Sequence, residues 1–273
     1  LLLVIDIGNS HTVLGLFEGG CGSSGAGLRE TKRLSQTWRI STHPIGTADE
    51  FYSRLKLALE TSPFRLENVN AIVIASVVPV LTSVALEAFK MGLPQIPVHV
   101  IDHQYPFSFV ISAQPRNQIG IDRLVNAEAA VKDYGFPCII VDAGTATTIC
   151  AINRDQTGQA DFLGGAIMPG LKLSMEALAK NAAQLFRVEL TPPPRAIGTH
   201  TQDAIRSGLV FGYASMIDGI VRRFKAEMGI SEIKVLATGG ISPLMKDISQ
   251  EITHFDSDLT LKGIAYFYDT LSC

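Results

Sequence analysis

The chain has no apolar run approaching the roughly 20 residues that span a bilayer; its nearest, Ala71–Leu81, is interrupted by Ser76 and Pro79. Cysteine is sparse. Cys21, Cys138, Cys150 and Cys273 lie far apart, without a C-x-x-C or a histidine at metal-ligand spacing, which argues against a disulfide framework or a zinc site and for free thiols in a reducing cytoplasm. Net charge is only −3, so no electrostatic case exists for nucleic acid. Charged residues make up 18% against an average of about a quarter, and apolar residues 47%, a balance that predicts extensive burial, including a subunit interface. The first residues form a strand at once, with no basic segment or cleavage site, so no signal peptide is expected. The phosphate-binding pattern G-x-x-x-x-G-K-[ST], a strand-linked G-x-G-x-x-G and the protein-kinase motif set are all missing.

Two short loops of one chemistry are present instead. Asp6-Ile7-Gly8-Asn9-Ser10 ends the apolar run Leu1–Ile5, and Asp142-Ala143-Gly144-Thr145-Ala146-Thr147-Thr148 ends the run Ile139–Val141. Each stops a buried strand on a carboxylate, turns on a glycine and restarts as a strand. Glycine lets backbone amides approach an anion, hydroxyls add donors, and the carboxylate can hold a cation or its water. A single Asp-x-Gly is an ordinary turn; two in the same context predict a phosphotransferase built from two similar halves.

Element patterning agrees. After the first loop come strands at His11–Phe17 and Leu34–Ser41, separated by a glycine-rich excursion over Glu18–Arg29. Thr47-x-x-Glu50 is a capping box ahead of Phe51, Leu55 and Leu59 at helical spacing. A strand at Val69–Val77, a helix to about Met91 and a strand at Val98–Ile101 complete one α/β unit, and Pro106–Ile119 is irregular. The pattern then restarts: helix Arg123–Tyr134, strand from Cys138, second loop, strand Thr147–Asn153, strand and turn Leu163–Gly170, and helix Leu171–Leu185. Pro192-Pro193-Pro194 bars continuation, and a long helix Thr201–Met228, a strand Ile233–Ala237 and a helix Leu259–Leu271 follow.

Gly120-Ile121-Asp122-Arg123 is a third candidate. An Asp at a helix start caps the helix; it can also accept the proton of an attacking hydroxyl while the arginine holds an anionic substrate. Thr238-Gly239-Gly240 permits close backbone approach after a buried strand, suited to adenine or ribose. His11 is a loop neighbour placed where it could hydrogen-bond a phosphate.

With these pieces in order, the chain resembles the type III pantothenate kinases of the acetate and sugar kinase/Hsc70/actin superfamily. The resemblance rests on Asp6–Ser10, Ser76-Val77-Val78-Pro79, Gly120–Arg123, Asp142–Thr148, Gly164-Gly165-Ala166-Ile167-Met168-Pro169-Gly170 and Ala237-Thr238-Gly239-Gly240. It implies an α/β fold of two duplicated ribonuclease H-like domains with a central cleft, divided at 118/119. It also implies ATP-dependent phosphorylation of pantothenate to 4′-phosphopantothenate, the first step towards coenzyme A, by a cytoplasmic homodimer using Mg²⁺ or another divalent ion and K⁺ or NH₄⁺. Carried over by position, Asp6, Ile7, Gly8, Asn9, Ser10, His11, Thr12, Val13 and Thr145 bind ATP, with Asp6 on the Mg²⁺ side and Asp142 on the monovalent cation. Gly120, Ile121, Asp122, Arg123 and Thr201 line the substrate site, with Asp122 as proton acceptor. Neither nucleic acid nor membrane is expected as a partner.

Three departures accompany the resemblance. Many relatives carry a tyrosine about nine residues before the catalytic aspartate, where Ala113 or Ser112 stands here, and Tyr105 is remote in sequence. Cys150 replaces a common acidic residue, and the excursion around Cys21 is an insertion. A kinase for another small hydroxylated substrate, or an accessory nucleotide-binding protein of the same fold, stays open as an alternative. Bacterial sugar kinases of this fold often carry a Cys/His zinc cluster, for which no spacing exists here.

Overall fold

The computed structural model describes residues 1–19, 32–60 and 63–271. The core of the glycine-rich excursion, with Cys21, falls outside the described residues, as does Cys273. Two compact units are formed, Leu1–Phe107 with Pro115–Ala129 and Thr260–Cys273, and Ser108–Gln114 with Ala130–Leu259. The chain thus passes between units at 107/108, 114/115, 129/130 and 259/260.

In the first unit, β1 (Leu2–Ile7) pairs antiparallel with β2 (His11–Glu18), which pairs with β3 (Arg33–Ser41). After helix α1 (Ala48–Glu60), β4 (Ala71–Ser76) pairs parallel with β1, and after α2 (Pro79–Gly92), β5 (Val98–Val100) pairs parallel with β4. The order is β3-β2-β1-β4-β5. Central β1 is apolar throughout its interior because both faces are covered, whereas edge strand β3 alternates in exposure. The capping box forms: the Thr47 amide donates to Glu50 Oε2 at 2.9 Å and the Glu50 amide to Thr47 Oγ1 at 3.4 Å. Phe51, Leu55 and Leu59 behind it are buried in the core with Leu3, Ile5, Ile72 and Phe89.

In the second unit, β6 (Val110–Ile111) precedes α3 (Ile121–Tyr134), whose first nine residues belong to the first unit. Then β7 (Cys138–Ala143), β8 (Ala146–Arg154) and β9 (Ala160–Pro169) form an antiparallel meander, followed by α4 (Leu171–Asn181). Helical backbone next runs through α5 (Thr201–Arg206), a π turn at Ser207–Phe211 and α6 (Gly212–Met228). Strand β10 (Lys234–Thr238), short α7 (Ser242–Met245) and β11 (His254–Phe255) complete a sheet of order β11-β10-β7-β8-β9-β6, and α8 (Leu259–Leu271) ends the fold. Apart from β6, this repeats the first sheet: a central strand that opens an antiparallel meander on one side and has two parallel strands on the other. Two α/β units of repeated strand order are therefore present, as the sequence led one to expect.

The 201–228 helix is long and apolar enough by composition to cross a membrane. One face of it joins the core, where Tyr213, Ala214, Ile217 and Val221 cluster with Ile139, Val141 and Val235. Its buried Asp218 accepts hydrogen bonds from Ser249 Oγ and the amides of Gln250 and Glu251. Cys138 and Cys150 stand on paired strands, but Cys138 faces Ile152 and Cys150 faces Ile140. Both are buried, and burial pushes the Cys138 thiol up to about 12, which favours its protonated form.

Candidate active site

Asp6 and Asp142 occupy the same place in the two sheets, the penultimate position of the central strand, and each is half-buried. The first turn is closed by the Gly8 amide donating to the His11 carbonyl at 3.1 Å, and Ile7 pairs with Thr12 across it. A side chain on Gly8 would meet that carbonyl at 3.1 Å. Asn9 and His11 are exposed, Ser10 and Val13 half-buried, and Thr12 fully buried. Thr42 secures the turn, donating through Oγ1 to the Gly8 carbonyl at 2.7 Å and lying 3.3 Å from Thr12 Oγ1. No sequence motif marks Thr42; its role emerges only from the pairing of β3 with β2.

The second turn is one residue shorter, with Ala143 pairing directly with Thr147 and Thr145 exposed at its tip. Buried Thr147, the counterpart of Thr12, hydrogen-bonds the Tyr213 hydroxyl. Burial raises the Tyr213 pKa, the Thr147 bond lowers it, and the nearby Asp142 charge raises it further. Two glycines press on this loop. Gly170, at the start of α4, donates to the Thr145 carbonyl at 3.2 Å, and a Cβ there would sit 2.3 Å from that oxygen and 2.5 Å from the Gly144 oxygen. Gly239, at φ +86°, faces Asp142 so closely that a Cβ would lie 2.5 Å from Oδ1. The backbone of both neighbours therefore approaches as only glycine allows.

The same cross-strand bond recurs in both halves. Val77 donates to the Ile7 carbonyl at 3.1 Å and Ile241 to the Ala143 carbonyl at 3.2 Å. Ser76 shows a structural use, its Oγ accepting from the Val78 amide and from Thr82 Oγ1 at the start of α2. The preceding residue, Ala75, is aligned with Asp6; in the second unit Thr238 is aligned with Asp142. Thr238 is buried, and its hydroxyl is without a hydrogen-bond partner.

An orphaned hydroxyl beside a half-buried carboxylate is a donor set that suits a hard cation or its water. Among the described residues no group of three or more His, Cys, Asp or Glu is placed to hold a metal ion. A single protein carboxylate completed by hydroxyl, carbonyl, water and phosphate oxygens is compatible with magnesium or potassium.

Asp122 stands in the first turn of α3. Its Oδ1 accepts from the Arg123 amide at 2.8 Å, and Gly120 makes room for it, since a Cβ there would lie 2.3 Å from that oxygen. Burial raises the carboxyl pKa, opposed by the Arg123 amide bond and by the Arg123 charge. Ile121 is buried and anchors the turn, while Gly120, Asp122 and Arg123 are half-buried. Asp6 and Gly120–Arg123 belong to the first unit; Asp142, Thr145 and Thr201 belong to the second. Thr201 is exposed at the first position of α5, where Gly198 packs against the Ala204 amide.

Tyr105 is committed elsewhere. Its ring packs on Phe267 and Phe107, and its hydroxyl accepts from Thr270 at 3.0 Å. Ser112 is tied to both carboxylate oxygens of Asp161.

A family model described as type III pantothenate kinase matches residues 2–223. A type III pantothenate kinase of Rubrobacter xylanophilus is 41% identical, covering 98% of this chain and 97% of its own. One from Halalkalibacterium halodurans is 37% identical, covering 98% of each. Among solved structures, a conserved Campylobacter jejuni protein ascribed to the Baf family of transcriptional activators shares the fold, with a TM-score of 0.59 and 20% identity over 99% of this chain and 98% of its own.

Proposed function

The chain belongs to the type III pantothenate kinase family, and from that premise we propose that it transfers the γ-phosphoryl group of ATP to the primary hydroxyl of pantothenate, the first step towards coenzyme A. The carrying observation is family membership over nearly the full chain together with a duplicated pair of Asp-x-Gly turns at equivalent strand ends.

Phosphoryl transfer asks the protein mainly for positioning and charge neutralisation. In our reading the amides and hydroxyls of Gly8–Val13 hold the ATP phosphates from one loop, and Thr145 contacts ATP from the other. Asp6 serves the Mg²⁺ side, while Asp142, with the Thr238 hydroxyl beside it, serves K⁺ or NH₄⁺. Bound cations would neutralise phosphate charge. Asp122 accepts the proton as the substrate hydroxyl attacks; its raised pKa makes it a better base than an ordinary aspartate. Arg123 holds the substrate against it, and Gly120, Ile121 and Thr201 complete the substrate contacts.

We also read the protein as a cytoplasmic homodimer. Support for the dimer comes from exposed apolar side chains in the second unit, Leu163, Ile167, Leu173, Phe186 and Ile197.

The test is ADP release by the full chain with ATP and Mg²⁺, in K⁺ or NH₄⁺ against Na⁺, with pantothenate set beside a panel of sugars. Turnover should require pantothenate and rise with K⁺ or NH₄⁺. Activity on a sugar instead, or none with any acceptor, would reject the assignment.

A further inference from the structure

The Ile119 carbonyl lies in the peptide plane that carries the Gly120 Cα, and a planar peptide moves as one piece. That plane is held from outside the turn: His103 Nε2 lies 2.7 Å from the Ile119 oxygen. A carbonyl oxygen only accepts, so it is Nε2 that carries the proton and donates. Ile119 is 6% exposed, so solvent is a poor replacement for the imidazole.

His103 is itself fixed. Asp102 Oδ1 accepts from the Gln104 amide at 2.8 Å, and the Asp102 carbonyl accepts from the Tyr105 amide at 3.3 Å, so His103 sits in a closed turn. Tyr105 anchors that turn through Phe107, Phe267 and Thr270, and its carbonyl accepts from Arg116 Nη2 at 3.1 Å. The loop at 102–107 thus grips the segment 116–119 at two points, and all of these residues belong to the first unit.

What the peptide plane controls is the carboxylate. Asp122 Oδ1 fits so closely against Gly120 that a Cβ there would sit 2.3 Å away. The Gly120 carbonyl accepts from the Arg123 and Leu124 amides at 3.1 and 3.3 Å, which opens α3. Rotating the Ile119–Gly120 peptide therefore displaces Asp122, and a misplacement of about 1 Å at a reacting group can cost roughly 100-fold in rate. Resting on the function proposed above, we propose that His103 is a positioning residue, which holds Asp122 through the Ile119 carbonyl in the orientation that accepts the substrate proton. It acts on the proton acceptor rather than on the substrate.

The experiment compares wild type with His103→Leu, His103→Gln and His103→Asn in kcat, in the KM values for pantothenate and ATP, and in melting temperature. The Gln amide reaches about as far as imidazole Nε2 and can still donate; Leu cannot donate, and the shorter Asn amide falls short of the carbonyl. His103→Leu should lower kcat by roughly 10–100-fold. The KM for ATP should stay near wild type, because the Gly8–Val13 loop stands on β1 and β2. His103→Gln should restore most of kcat and His103→Asn should not; that pair carries the test if the leucine variant does not fold. A lowered melting temperature with kcat per folded molecule unchanged, or a Gln variant as slow as Asn, overturns this inference while wild type still phosphorylates pantothenate. No turnover of pantothenate by wild type overturns the function and this inference together.

Discussion

Burial pushes the Asp122 carboxyl up while the Arg123 amide and charge pull it down, and the balance is a raised pKa. A base works deprotonated, so the acidic limb of kcat/KM should lie above the ordinary aspartate value of about 3.9. Asp122→Asn should lose most of kcat while ATP affinity stays near wild type; near-normal turnover would reject Asp122 as the base. The linked stability effect has a definite sign. A raised folded-state pKa means that the folded chain binds this proton more tightly than the unfolded chain does. Its stabilisation is present below the unfolded value and lost as pH rises through the folded one. At pH 7 the uncharged Asn variant should therefore melt at or above wild type, and the gap should close in acid. At this scale the strand-end carboxylates and the Gly-Asp-Arg turn were legible, because a charged residue terminating an apolar run is conspicuous. Thr42 was not: it matters through Gly8, a neighbour distant in sequence. Thr238-Gly239-Gly240 stood out for its glycines, but the alignment of Thr238 with Asp142 comes only from strand pairing.

Two glycines let backbone elements close on the second loop, and an added side chain meets a different obstacle at each. At Gly239 an alanine adds a strained positive φ to a clash with Asp142 and Ala143; at Gly170 it meets two carbonyl oxygens. Each Gly→Ala change should cost about 1–3 kcal/mol in denaturant unfolding and weaken nucleotide and cation binding. Gly219, inside α6 with no atom within 4 Å of where an added methyl would sit, should instead gain roughly 0.5–1 kcal/mol as alanine. Equal effects at all three would mean that close approach is not what the two loop glycines provide. Most elements were readable from hydrophobic period and caps, including the capping box and the final helix. Strands β6 and β11 were not, because two residues carry no period; they exist only through their partners β9 and β10. The expected single helix at 201–228 contains a π turn that apolar spacing does not reveal.

For the molecule as a whole, the sequence exposed the repeat as an order of elements, and the two sheets share that order strand for strand, β6 aside. It did not expose the four crossings between units, because α3 and α8 carry uninterrupted helical patterns across or beside them. If the apolar residues of the second unit form a homodimer interface, light scattering should give about twice the 29.4 kDa chain mass. Ile167→Glu or Phe186→Glu should then shift the protein towards monomer. A wild-type monomer at micromolar concentration would remove the dimer from this account.

The most direct measurement is the mass of the acceptor after incubation with ATP, Mg²⁺ and K⁺. Pantothenate should gain one phosphate in step with ADP formed, and should not with Asp122→Asn that still binds ATP. ADP formed with the acceptor mass unchanged, or equal phosphorylation by the variant, would contradict the assignment of this chain as a pantothenate kinase acting through Asp122.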